Sequence, residues 1–366
     1  MLCQRQVSPS SKYFCASPFT RMTRSPNGDL RTCVYSPPLE GKYSSILDAF
    51  NSDEMEVIRQ EMRDGVRRPE CEWCYFYDES NQFSCRQDIN ERYPEPPSTL
   101  LRELDFAASN KCNYICVTCD ESASSGWESR NKEFRFSKGE IKHKMPVDLD
   151  GIENLKQITI MGGEPTIEPY YTDEFWDLIE SKTNEDVWYQ MVTNCSAFPS
   201  ERWMRFLSGL KHVSIGISLD GVGKVGEFCR LGWKERVWRK NFTKWLEFFE
   251  RGYDPVSRHD GPWINIVISN YNILNITKTL EYIAPYRHRV MLTTAFEPVM
   301  LCPAYLPDKY KDEIESMYFY DDNHRDFVLD LLEQGEYDEK VHKKFQDYTK
   351  YLNTFVKVPE ECLRFV

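Results

Sequence analysis

The sequence predicts an α/β fold of parallel βα units, and three observations carry that prediction. Six short apolar runs alternate with amphipathic helical patterns across residues 99–300. The runs are six to eight residues long, which suits strands covered on one face by helices. Five of the six end in loops of unusual composition, and in βα folds reacting groups gather on the loops at the carboxyl ends of strands.

The elements follow in order. LRELDFAA reads as the first strand, and QITIMG as the second, followed by the helical YTDEFWDLIES. VWYQMVTN precedes SERWMRFLSGL, and VSIGISLD precedes the long helix ERVWRKNFTKWLEFFERG. INIVISN precedes NITKTLEYIAPY, and RVMLTTAF closes the series. Only the first crossover, residues 121–156, is long and polar, as an insertion would be. Residues 1–98 differ: they hold six cysteines and many turn residues, and they close with the Pro-rich RYPEPPSTL. Residues 301–366 read as a charged, aromatic-rich helical cap from Asp308 onward.

The bulk composition excludes some functions. With 41% hydrophobic residues the 366-residue chain is expected to pack globular cores. It has no run of eighteen apolar residues and no apolar segment near its start, so neither a membrane span nor a secretory signal is expected, and the cytosol is the expected location. Thirteen cysteines in a reducing compartment argue for metal or catalytic use rather than for disulfides. A net charge of −12 disfavours binding to bulk nucleic acid. The basic stretch Lys234–Lys244 reads as the solvated face of a helix.

The chemistry-bearing loops share one end of the sheet. KCNYICVTCD follows the first strand and spaces Cys112, Cys116 and Cys119 as C-x3-C-x2-C. A structural zinc site needs four closed ligands, and three thiolates suit it poorly. A [4Fe–4S] cube usually takes four, so three leave one Lewis-acidic iron open to a chelating small molecule. GGEP (Gly162, Gly163, Glu164, Pro165) follows the second strand, TNCS the third, and SLDGVG closes the fourth.

CNYICVTC followed by MGGEP and then ISLDG resembles the radical S-adenosylmethionine (SAM) enzymes. The resemblance covers about two-thirds of the chain. It implies a partial (β/α)6 TIM-like barrel, flanked here by the amino-terminal module and the helical cap. It also implies a cluster on Cys112, Cys116 and Cys119 whose open iron binds the methionyl end of SAM. In that family the cluster donates one electron, SAM splits, and a 5′-deoxyadenosyl radical takes a hydrogen atom from substrate, while the protein orients the reactants and excludes water. By position, Gly162, Gly163 and Glu164 resemble the motif that contacts the methionyl amine. Asn194, Ser218 and Asp220 lie where relatives often contact the cofactor. Arg230 in EFCRLG resembles an arginine that meets the SAM carboxylate, whose geometry a guanidinium fork matches; a surface ion pair is its ordinary alternative. Ile268 and Asn270 are candidates for the adenine end. Glu164 has an ordinary alternative as a helix N-terminal carboxylate.

Two positions depart from the family pattern. Thr118 stands where an aromatic residue often precedes the third cysteine, and TNC with Cys195 stands where relatives often read TNG. Cys195 is read as a small buried residue or, more sharply, as a hydrogen-atom donor.

In the amino-terminal region, Cys15 is followed by twelve residues, Gly28, four residues and Cys33, and CEWC supplies Cys71 and Cys74. SPNGDLRTC reads as a hairpin turn feeding a ligand. The pattern resembles the twitch module, the short form of the SPASM domain, placed here before the barrel instead of after it. The resemblance implies a second, auxiliary [4Fe–4S] cluster on Cys15, Cys33, Cys71 and Cys74, with Cys85 as a replacement ligand. A four-cysteine zinc site is the alternative. Cys3, Cys229, Cys302 and Cys362 have no partner by spacing, and Cys302, just past the last strand, is the one read as substrate-side. Glu103 and Asp105 alternate onto one face of the first strand and are candidates to touch substrate, against buried hydrogen-bonded carboxylates as the alternative. His143 and His212 are further candidates for a base.

The motifs imply radical initiation and leave the product open. Dehydrogenation with loss of a second electron to the auxiliary cluster, peptide modification, and rearrangement of a nucleotide are the three branches. The implied partners are a flavodoxin or ferredoxin-type electron donor and a small-molecule, peptide or nucleotide substrate. The rival from another class is a non-catalytic zinc-binding protein.

Overall fold

The computed structural model describes residues 12–79, 84–94, 98–130, 149, 151–250, 260–286, 289–295, 298–319 and 321–366. Among the described residues ten strands are formed: β1 Arg21–Arg24, β2 Leu30–Arg31, β3 Glu103–Ala107, β4 Ile115–Cys116, β5 Gln157–Met161, β6 Trp188–Thr193, β7 His212–Ser218, β8 Arg230–Leu231, β9 Gly261–Ile268 and β10 Arg289–Thr294. The helices are α1 Ser17–Thr20, α2 Ile46–Phe50, α3 Asp53–Arg63, α4 Glu72–Glu79, α5 Cys85–Arg92, α6 Ser125–Arg130, α7 Asp173–Lys182, α8 Glu201–Ser208, α9 Gly223–Cys229, α10 Glu235–Glu250, α11 Ile276–Ile283, α12 Asp308–Glu315, α13 Asp322–Glu333 and α14 Glu339–Leu352.

One sheet runs in the order β10-β9-β7-β6-β5-β3-β1-β2. The six strands expected from the apolar runs are present and parallel, as a partial (β/α)6 barrel requires. The amino-terminal region adds to this sheet. β1 pairs parallel to β3, Arg21 against Glu103 and Thr23 against Asp105, and β2 returns antiparallel to β1. The sheet is therefore continuous across residue 98. RMTR gives no strand signal because Arg21 and Thr23 match polar partners on β3 and Arg24 covers the Phe106 ring, leaving Met22 as its one apolar residue. Gly28, at φ 87°, makes the turn between β1 and β2 that a residue with a Cβ would strain.

The pairing register sorts the two faces of the sheet. Side chains alternate along a strand, so Tyr189 and Met191 face α7 and α8 while Gln190 faces the other way. Trp176 of α7 stacks on Trp203 of α8 with ring centroids 4.4 Å apart, and both rings pack near Tyr189 and Phe206. Thr172 and Ser200 cap these two helices through the backbone N–H groups of Phe175 and Trp203. The opposite, barrel-interior face is polar. By register it carries Glu103, Asp105, Gln157, Thr159, Gln190, Ser214 and Asn265. Gln157 donates to Gln190, and the Trp263 indole donates to Ser214 at 3.1 Å.

The carboxyl-terminal helices lie over the loop that follows β3. Tyr348 of α14 is fully buried and donates to the Val117 carbonyl at 3.0 Å. Tyr271, after β9, shares a hydrogen bond of 2.8 Å with Thr349. No described helix is long and apolar enough to cross a membrane.

Candidate functional site

The three cysteines of the first loop are held by backbone and by partners far away in sequence. β4 pairs antiparallel with β8, setting Cys116 against Arg230, and the Val117 amide donates to Cys229 O at 2.9 Å. The Trp127 indole donates to Cys116 O at 2.8 Å, and Tyr348 takes the next carbonyl. N–H groups also aim at the sulfurs themselves. The Tyr114 amide reaches Cys112 Sγ at 3.4 Å, Asn194 Nδ2 reaches it at 3.8 Å, and Arg230 Nη1 reaches Cys116 Sγ at 3.6 Å. Cys116 and Cys119 hydrogen-bond through their side chains. Burial pushes the Cys112 thiol up to about 11. The bond to Cys119, together with burial, pushes the Cys116 thiol well above its usual range. A bound metal centre reverses that penalty, because its charge deprotonates a coordinating thiol.

Glycine brings the second loop against the first. Gly162 has φ 128°, and a Cβ there would sit 2.7 Å from Ser109 O. At Gly163 it would sit 2.1 Å from Lys111 O. The Gly163 and Glu164 amides donate to Ser109 O and Lys111 O at 3.2 and 2.8 Å. Glu164 is buried, and burial raises its pKa against the hydrogen bonds it accepts from Thr166, Asn194 and Thr193. It also caps the short 3-10 turn Pro165–Ile167, so the structural role weighed for it is filled as well.

Asp220 and Arg230 form one buried unit. Arg230 Nε donates to Asp220 Oδ2 at 2.9 Å, and Asp220 Oδ1 accepts from the Val267 amide at 3.0 Å. Asn272 Nδ2 braces the Asp220 carbonyl at 2.7 Å. Arg230 is 9% exposed, so its ion pair is buried and not a surface contact. Burial alone would lower its pKa; Asp220 and the thiols of Cys116, Cys119 and Cys112 more than offset that and raise it. Asp220 thus acts through Arg230 and positions it.

The remaining candidates divide. Ser218 ends β7 on the interior face, and its carbonyl accepts from the Trp238 indole. Asn270 donates to Met300 O at 2.9 Å, and its Oδ1 is buried without a partner among the described residues. That acceptor suits an amino group such as adenine carries. Alternation from Asn265 and Val267 turns the Ile268 side chain to the helix layer, where it is fully buried, and its carbonyl accepts from the Ala295 amide at 2.9 Å. Cys302 is buried, with its thiol 3.8 Å from Thr294 Oγ1, and lies one residue past the carbonyl of Leu301 that accepts from the Asn270 amide.

Glu103 and Asp105 do face the barrel interior, but both are spent on protein partners. Glu103 accepts from Arg21 Nε at 2.9 Å and sits 3.0 Å from Arg92 Nε; Asp105 accepts from Thr23 Oγ1 at 2.9 Å. They tie β1 and α5 to β3, which is the buried-carboxylate reading. Removing one partner of a buried ion pair costs about 3–5 kcal/mol. Glu103→Ala is therefore expected to lower the urea midpoint by that equivalent, while iron per folded chain stays at the wild-type value.

Cys195 has φ 60°, the left-handed conformation that glycine takes without strain. Its thiol is buried and donates to Trp238 O at 3.7 Å, a structural role. His212 lies at the amino-terminal end of β7, with Nδ1 3.2 Å from Asp260 Oδ2, remote from these loops. Cys229 and Cys362 are buried. Cys3 and His143 lie outside the described residues, as does most of the first crossover.

A second locus gathers four thiols. Cys71 and Cys74 stand one helical turn apart at the start of α4, on one face. Cys15 is fixed from both sides by α5: Asn90 Nδ2 and Arg86 Nη1 donate to Phe14 O at 3.0 and 2.9 Å, and Asn90 Oδ1 accepts from the Ala16 amide at 2.8 Å. Cys33 follows β2, its backbone knotted to Ser36 Oγ. Every pair among Cys15, Cys33, Cys71 and Cys74 is close enough to raise a partner's pKa, with burial the larger cause. Cys71 is pushed up to about 11 and Cys74 to about 12. Cys85 interacts with Cys74, more strongly than Cys33 or Cys71 does, and also with Cys33 and the Tyr35 hydroxyl. Tyr77, one turn beyond Cys74, feels both Cys74 and Cys302. Among the described residues no three His, Cys, Asp or Glu side chains converge on a single ion; thiolates on separate corners of a cube stand farther apart than the ligands of one ion.

Residues 106–254 match the sequence pattern of the Radical SAM superfamily, a span that holds all three cysteines of the first loop, the GGEP loop and Arg230. The chain carries a radical SAM domain. Solved structures of low similarity also match. SuiB of Streptococcus suis bound to its precursor peptide SuiA is 14% identical over 94% of this chain and 75% of that one, with a TM-score of 0.39. Native anSMEcpe with bound AdoMet and the Cp18Cys peptide is 17% identical over 53% of this chain, with a TM-score of 0.35. TYW1 with a lysine-pyruvate adduct is 15% identical over 83% of this chain and 90% of that one, with a TM-score of 0.33. The match to anSMEcpe spans about half of that chain, 51%. Such likenesses are too distant to carry a substrate over to this chain. No curated protein matches it.

Sequence reasoning missed Thr193, Trp127, Asn272 and Tyr348 as supports of these loops. Thr193 had a weak signal, a hydroxyl residue at the end of a strand next to TNC. Tyr348 had none, since its contact spans 231 positions.

Proposed function

We propose that the chain is a radical SAM oxidoreductase with two iron–sulfur clusters, one on Cys112, Cys116 and Cys119 and an auxiliary one on Cys15, Cys33, Cys71 and Cys74 of a twitch-like module. When bound, the first cluster and SAM supply the one-electron reduction and the 5′-deoxyadenosyl radical that takes a hydrogen atom from carbon. The chain's own part is to hold and shield. Glu164 offers a carboxylate for an ammonium, and Arg230, fixed by Asp220, offers a guanidinium for a carboxylate. Asn270 Oδ1 offers an acceptor for the adenine amine. The cover of α14 over the Val117 carbonyl keeps water from the cluster loop.

The observation that carries this reading is the meeting of Arg230 with Cys116, on a strand pair that also aligns the loop for Glu164. Four mutually interacting thiols in the amino-terminal module support full protein ligation of the auxiliary cluster. That favours electron transfer, and so dehydrogenation of the substrate, over direct ligation of substrate. The electron donor would be a flavodoxin or a ferredoxin-type protein.

Anaerobic reconstitution tests the reading. About eight irons and eight sulfides per chain are expected, with 5′-deoxyadenosine formed from SAM under dithionite. Cys71→Ala is expected to lower the count to about four and to leave reductive SAM cleavage intact. Zinc alone at either locus, or iron without 5′-deoxyadenosine, would sink the assignment.

A further inference from the structure

Glu164 is the carboxylate of the GGEP motif, and its two oxygens are used unequally. Oε1 accepts three bonds: from the Thr166 amide at 3.0 Å, from Thr166 Oγ1 at 2.5 Å and from Thr193 Oγ1 at 2.7 Å. Oε2 accepts one among the described residues, from the Asn194 amide. An ionised carboxylate has about four lone-pair sites, two on each oxygen. Oε1 is therefore saturated, and Oε2 keeps a free acceptor direction.

Thr166, two residues on, supplies two of the three donors to Oε1, and Thr193 adds the third from the neighbouring strand. Thr193 is the last residue of β6 and is 1% exposed. Its hydroxyl accepts from the Cys195 amide at 3.0 Å. A hydroxyl has a single proton, and with Cys195 donating to it that proton is directed to Glu164 Oε1. The left-handed Cys195, φ 60°, is what curls the chain back to make this contact. The same turn places the Asn194 amide on Oε2 and Asn194 Nδ2 on Cys112 Sγ, so the free side of Oε2 belongs to the loop cluster that holds the three thiols.

We propose that Thr193 is a positioning residue for the cofactor's ammonium: together with Thr166 it commits Glu164 Oε1 to the protein, and from the neighbouring strand it fixes the carboxylate's orientation so that Oε2 is left as the acceptor. This rests on the reading that the radical SAM domain binds SAM at these loops. The protein thereby holds a buried carboxylate in one orientation before the ligand arrives, which removes an ordering cost from binding.

The test is equilibrium binding to the reconstituted full-length chain, with SAM and with methylthioadenosine, which has the adenosine end but no amine. Thr193→Val is close to isosteric and removes the hydroxyl. It is expected to raise the Kd for SAM on the order of tenfold or more, with iron per chain and the Kd for methylthioadenosine unchanged. Thr193→Ser is expected to restore the SAM affinity to within about twofold. If Thr193→Val does not yield folded protein, Thr193→Ala is read against the same two ligands. Equal SAM affinity without the hydroxyl, or parallel losses for both ligands, overturns the inference alone. Absence of SAM binding by the wild type overturns the reading beneath it as well.

Discussion

Gly163→Ala is expected to empty the Cys112–Cys119 loop of its cluster without removing a sulfur. The added methyl carbon would lie 2.1 Å from Lys111 O, 2.5 Å from Lys111 C and 2.6 Å from Asn110 C. All three are backbone atoms, so no side-chain rotation relieves the clash. The segment that carries Cys112 must retreat, and the Glu164 amide then loses its 2.8 Å bond to Lys111 O. Overpacking of this kind costs about 1–3 kcal/mol or more. The chain as a whole should survive, because the clash lies at one end of a large sheet. Iron is expected to fall from about eight to about four per chain, with SAM cleavage down at least a hundredfold and far-ultraviolet circular dichroism preserved. Gly209 supplies the control. It ends α8 at φ −86°, and a methyl group added there would stand 3.4 Å from its nearest neighbour, so Gly209→Ala should be neutral or slightly stabilising. Full iron and near-normal SAM cleavage in Gly163→Ala would mean the two loops are not coupled as described.

Asp220→Ala is expected to damage stability and cofactor affinity together, and a second substitution separates the two. The variant leaves the Arg230 guanidinium buried without its carboxylate. Breaking a buried pair from one side costs about 3–5 kcal/mol. The loss should be larger in the cluster-free protein, where the neighbouring thiols are neutral, than in the reconstituted one, where they are thiolates. Replacing both residues, as Asp220→Ala with Arg230→Met, removes the stranded charge. That double variant is expected to recover most of the urea midpoint. It should not recover SAM affinity, since the guanidinium proposed to meet the carboxylate is gone. If it regains both, Arg230 is a structural cation and has no part in holding the cofactor.

The legible part of this protein is the part whose physics is local. Each of the six parallel strands announces itself as a short apolar run because it must bury at least one face under the helix next to it in sequence. C-x3-C-x2-C, GGEP and SLDG are equally local, since thiols that share one centre and glycines that permit close approach act within a few residues.

What stayed hidden depends on partners brought together from afar. Arg21 reads as an exposed charge until β1 lies beside β3 and Glu103, 82 positions away, takes its proton-rich edge. For the same reason Glu103 and Asp105 looked available for catalysis, and Ile268 looked available to a ligand until the register showed which way it turns. The resemblance named four amino-terminal thiols without showing that all six pairs interact, or that Cys85 acts on Cys74 as well. The sequence by itself determined the strands, the helices and the sulfur-bearing loops, because short-range sterics and periodic burial dictate them. Only the tertiary structure decided which carboxylates are spent, which arginine reaches the sulfurs and which hydroxyl orients Glu164, because each of those is a contact between separate strands whose order in the sheet no local pattern encodes.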